Sequence, residues 1–147
     1  MAEMNIDDSQ IFHDPDDPLV TNKYNGIFVE TIDEINEANV IWGETEVAFV
    51  IDDNDWWINT GASLRLQNNV VLKFKPGSAL LLSEGPSTLI NHDGAGVFFT
   101  SYKDDSKKGD TNGDGNATTP HQGDWYGIYD DNASVMLAWP NILFSEY

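Results

Sequence analysis

Leu72-Lys73-Phe74-Lys75, Val97-Phe98-Phe99-Thr100 and Ile142-Leu143-Phe144-Ser145 are three versions of one phrase, and their spacing decides the fold. Phe74 and Phe99 stand 25 positions apart. Phe99 and Phe144 stand 45 apart, which falls to 23 once the 22-residue polar gap from Tyr102 to Gly123 is set aside. Each phrase closes a set of three short apolar runs: 56–59, 63–66 and 70–75; then 79–82, 88–91 and 97–101; then 125–129, 134–137 and 142–145. A three-strand unit that returns every 20 to 30 residues or so predicts a β-solenoid, because each coil can bury its inward face only against the coils above and below. The expected fold is all-β: a parallel β-helix of about three rungs with one long Asp/Asn/Gly loop. A β-sandwich with a long hairpin loop is the competing arrangement of the same runs.

Outward from these phrases the texture changes. Residues 46–147 form the expected β-helix domain, interrupted by loop 102–123. Residues 1–45 read as an irregular, acidic N-terminal capping segment, with Asp7-Asp8 and Asp14-Pro15-Asp16-Asp17-Pro18 and little apolar periodicity over the first 22 residues. Within it, Thr31-Ile32-Asp33-Glu34 has capping-box spacing, which predicts a short helix over 32–38 with Ile32 and Ile35 facing inward.

Composition narrows the function. The 147 residues carry 25 acidic and 7 basic side chains, a net charge of -18, which repels nucleic acid and anionic membrane surfaces alike. There is no cysteine, so neither a disulfide framework nor a thiolate metal site is available. No run reaches the roughly 18 apolar residues of a membrane span, and Met1-Ala2-Glu3-Met4 lacks the basic and apolar regions of a signal peptide. The sequence is expected to be a piece of a longer precursor.

The stretch Phe99-Thr100-Ser101-Tyr102-Lys103-Asp104-Asp105, then Gly109-Asp110-Thr111-Asn112-Gly113-Asp114-Gly115, then Gly123-Asp124-Trp125-Tyr126-Gly127-Ile128 resembles a known signature. It is that of right-handed parallel β-helix repeats in large bacterial surface and secreted proteins, adhesin-like ones included. Gly61 to Phe74 is similar to the rung that precedes it there. The resemblance covers roughly residues 46 to 147. It implies a right-handed coil and an extracellular or cell-surface location, and says little of activity.

The loop has its own chemistry. Asp110, Asn112 and Asp114 set oxygen side chains at alternate positions, and Gly115 follows where a sharp bend would aim the Asn116 carbonyl inward; this is the first half of an EF-hand-type calcium loop. The second half is missing, since His121 stands where a complete loop carries its bidentate Glu. Asp104, Asp105 and Asp124 at the two ends of the loop are the candidates to close the site. Every candidate is a hard oxygen, which favours Ca2+ over zinc. Such an ion would offset the entropy of ordering a polar 22-residue excursion.

Catalysis is harder to assemble. His13, His92 and His121 are scattered, and the acids at 52–55 and 130–131 sit where a solenoid turns. Polysaccharide lyase chemistry needs a base beside acidic calcium ligands, and the single arginine, Arg65, lies in an alternating strand pattern. Of the adjacent Trp56 and Trp57, one should face inward and the other outward, where it could stack on a sugar. The expected function is therefore a non-enzymatic structural or adhesive module, with a carbohydrate-binding or polysaccharide-active domain as the alternative. Expected partners are a polysaccharide, another surface protein, further rungs of a parent chain, or a second copy meeting the open end.

Overall fold

An extended strand turns successive side chains to opposite faces, so a coil of short strands gains a core when every second residue is apolar. The computed structural model, which describes residues 3–30, 32, 34–52 and 54–147, follows that rule. Its strands are β1 (His13–Asp14), β2 (Asp17–Thr21), β3 (Gly26–Val29), β4 (Val40–Trp42), β5 (Ala48–Ile51), β6 (Asp55–Ile58) and β7 (Leu64–Leu66). They continue as β8 (Val71–Phe74), β9 (Ala79–Leu82), β10 (Leu89–Ile90), β11 (Phe98–Ser101), β12 (Gly127–Asp130) and β13 (Val135–Met136). The one described helical element is a 3-10 turn, Pro86–Thr88.

From β3 to β12, consecutive strands do not pair with one another; each pairs with its counterparts one turn away. Three sheets result, ordered β4-β7-β10, β3-β5-β8-β11 and β6-β9-β12-β13, and every pairing between coils is parallel. We name them the β7, β8 and β9 sheets. The chain is thus a β-solenoid of about three turns, with a separate antiparallel β1-β2 hairpin. The inward residues meet in one core. Within a single coil Trp42, Phe49 and Trp56, one from each sheet, stack with ring centroids 4.3 and 5.3 Å apart. Phe74 and Trp125 stack at 4.1 Å one level on.

Four sequence expectations change. First, the ladders take in residues upstream of 46: β3 and β4 lie in sheet, and Ile6 and Ile35 form parallel bridges to Trp42 and Ile58. Second, the expected helix over 32–38 is not formed by its described residues. Ile35 N donates to Trp57 O at 3.0 Å and Asn59 N donates to Ile35 O at 2.9 Å, two ladder bonds that a helix would forgo. Ile35 is buried as expected, but Ile32 is 85% exposed; Thr31 and Asp33 of the capping box lie outside the described residues.

Third, the register is two residues from the one the repeated phrases suggest. Phe99 pairs with Leu72, and Ser101 with Phe74. A two-residue slip keeps every side chain on its own face, so the core is unaffected. Fourth, the run 134–137 is not a parallel rung. Its strand β13 turns back antiparallel on β12, and the chain then returns to bridge Ile142 to Phe99 and Ser145 to Trp125. Leu137, Trp139 and Ile142 pack against the core there, Trp139 stacking on His92 at 3.8 Å.

Candidate metal centre

In a solenoid the outward residues normally meet water. On the β8 sheet they do not: Ala48, Val50, Val71, Lys73 and Thr100, all outside the core cluster, are buried. Loop 102–123 folds back over them. Its neck is closed by Lys103, which pairs with Asp124 at 2.7 Å, and by Ser101 Oγ, which donates to the same carboxylate at 2.7 Å. Its middle is seated by Thr111, fully buried against the sheet where Gly26 leaves room; a Cβ on Gly26 would lie 2.7 Å from the Thr111 methyl. Tyr102 Oη donates to Thr111 O at 3.3 Å, and Lys108 Nζ donates to Thr45 O.

Lys73, at the centre of the covered face, was not singled out by sequence. It is fully buried, and its Nζ donates to Gly109 O at 2.7 Å and to the Thr111 hydroxyl. Burial pulls its ammonium down from 10.5 to about 8, against Asp105, Asp104 and Asp110, which favour the charged form. A lysine at the middle of an apolar strand phrase, Val71-Leu72-Lys73-Phe74, was the available signal that something polar covers that face.

Within the loop the backbone wraps round Asp110. Its carboxylate accepts from Gly113 N at 2.6 Å, Asp114 N at 3.3 Å and Gly115 N at 2.7 Å, with Gly113 and Gly115 at positive φ. Carboxylate oxygens of Asp105, Asp110 and Asp114 lie within 4.8 Å of one another. Calcium–oxygen distances of about 2.3–2.6 Å place ligands on opposite sides of one ion at up to roughly 5 Å, so this spacing fits a shared cation. Asp105 Oδ1 is buried and has no hydrogen-bond partner among the described residues. Burial, then the neighbouring Asp110, hold the Asp105 carboxyl above its ordinary range. Asp114 lies below it, held there by the Thr118 hydroxyl and backbone N–H groups.

The other residues named from sequence are occupied elsewhere. Asp104 accepts from Thr100 Oγ1 at 2.7 Å and from the Ser106 hydroxyl at 2.6 Å, which fixes the neck rather than the cluster. Burial raises Asp124, but its bonds from Lys103, His121 N and Ser101 outweigh this and leave it lowered. Asn112 Nδ2 donates to Asp114 at 3.0 Å and Thr118 at 3.1 Å, so its amide supports a ligand, and exposed Asn116 donates its N–H to Asp114. Trp56 is buried in the core and cannot meet a sugar; Trp57, its outward neighbour, is half-buried. Arg65 is exposed on the β7 sheet, a different sheet from the acidic cluster. No family model, curated protein or solved structure matches the chain.

Proposed function

We propose that the chain is a non-enzymatic, extracellular structural or adhesive module of the bacterial surface-protein kind, whose covering loop is held by calcium. The observation that carries this reading is the convergence of Asp105, Asp110 and Asp114 on a loop laid across the β8 sheet, with one buried carboxylate oxygen lacking a partner. Lys73, the one fully buried ammonium among the described residues, interacts with Asp105 and Asp110 of the three clustered carboxylates, so a divalent cation would supply the charge the cluster lacks. The ion's role is structural: it fixes the loop and supplies no reaction step. Two placements argue against a lyase, whose base must stand beside the acidic ligands and reach the substrate: Arg65 lies on another sheet, and Lys73, although beside the cluster, is fully buried with its Nζ bonded to Gly109 O and the Thr111 hydroxyl.

Thermal melting of the EGTA-dialysed chain, with and without added Ca2+, tests the reading. A rise in melting point with calcium, about one calcium per chain by elemental analysis, and silence in a polysaccharide depolymerisation assay are expected. An unchanged melting point with no bound calcium overturns it.

A further inference from the structure

The register of the β9 sheet lines up Trp57, Leu81, Tyr129 and Met136, one from each strand. Trp56, Ile58, Leu80, Leu82 and Ile128 on the same strands belong to the core, so the alternate residues of this row face outward. Trp57 and Tyr129 stand two strands apart, roughly 9.5 Å at the usual strand spacing. The neighbouring row on the same face, Asp55, Ala79 and Gly127, is small or acidic. Next to it opens a shallow cavity of about 550 Å3 lined by Asn54, Asp55, Pro76, Gly77 and Tyr126, the last 50% exposed.

Two aromatic rings in a row with Leu81 and Met136, beside a rim of oxygen and hydroxyl groups, match the two-sided chemistry of a pyranose, apolar on its C–H face and polar at its edge. Charge and area select among occupants. None of these residues is Lys or Arg, and a net charge of -18 repels an anionic chain. A protein partner takes about 800 Å2 per side, whereas Leu81 is 9% exposed and Trp57 and Tyr129 are half-buried, so the row offers a fraction of that. We propose that the outer face of the β9 sheet binds a neutral, extended polysaccharide, with Trp57 and Tyr129 stacking on sugar rings and Asp55 and Tyr126 meeting hydroxyls. The proposal rests on the fold and not on the calcium reading, since the face belongs to a different sheet from the acidic loop.

The test is native electrophoresis of the full chain through gels containing hydroxyethylcellulose or glucomannan, with polygalacturonate as the acidic comparison. Retardation is expected in at least one neutral gel and not in polygalacturonate, unchanged by EGTA. It weakens about tenfold in Trp57→Ala and is partly kept in Trp57→Phe, the variant that retains a ring. Should Trp57→Ala melt early, Tyr126→Ala at the half-exposed rim reads the same face and is expected to weaken retardation several-fold. No retardation in either neutral gel, equal retardation in polygalacturonate, retardation untouched by these substitutions, or its loss in EGTA each overturns the proposal.

Discussion

Asp105 changes sign with the solvent. Without a cation, its burial and the nearby Asp110 push its carboxyl above the usual range, so ionisation there opposes folding. In the proposed calcium-bound form, the same oxygen would be a ligand. Asp105→Asn is therefore expected to leave the melting point in EGTA unchanged or slightly raised, while abolishing the response to calcium. Asp110→Asn should also abolish that response and should lower the melting point in EGTA, because its carboxylate organises three backbone N–H groups. Differential scanning calorimetry of both variants, with and without calcium, separates the two effects.

Lys73 offers a pH test at the same scale. Its pKa is lowered in the folded chain, to about 8 from 10.5, so above pH 8 the unfolded chain binds more protons than the folded one. Stability then rises with pH between about 8 and 10.5, by up to roughly 3 kcal/mol from this group. Denaturant titrations in EGTA across that range should show the rise, and Lys73→Met should remove it. At this scale the sequence was partly legible. Alternate oxygens at 110, 112 and 114 gave the expectation of a cation loop, but which of Asp104, Asp105 and Asp124 lies with Asp110 and Asp114 could not be read, because it depends on how the neck folds. Asp104 is turned to Thr100 and Ser106, Asp124 to Lys103, and Asp105 alone reaches the cluster.

Among elements, the loop and the β8 sheet depend on each other through Gly26. A side chain there meets the Thr111 methyl at 2.7 Å and Val50 at 3.0 Å, so Gly26→Val is expected to lift the loop from the sheet while the coil persists. The cost is about 1–3 kcal/mol, and limited proteolysis should cut between 102 and 123 in the variant before it cuts wild type. The repeated strand phrases were readable from their period, yet the register was not. Phe74 and Phe99 look equivalent as letters, but pairing of backbone groups sets Phe99 against Leu72, and either register keeps the apolar residues inward. The run 134–137 matched a rung in composition. Only its antiparallel return on β12 distinguishes it, and a two-residue strand has too short a pattern to show direction.

For the whole molecule, a three-sheet coil could be inferred because each coil repeats the same burial problem, and the repeat survives subtraction of the loop. The N-terminal rungs were hidden by their surroundings: Ile27, Val29 and Ile35 are too few between acidic stretches to display a period, although the coil beyond them gives each a partner. The loop's position across a sheet was also hidden, since nothing local to residues 102–123 says which face they cover. That covering joins the acidic cluster to the coil. Hydrogen–deuterium exchange of the full chain, at the amides of residues 105–117, measures it directly with EGTA and then with excess Ca2+. Calcium is expected to slow exchange across this segment by about tenfold or more while leaving the β5 and β8 amides unchanged; equal rates in the two conditions would contradict the account.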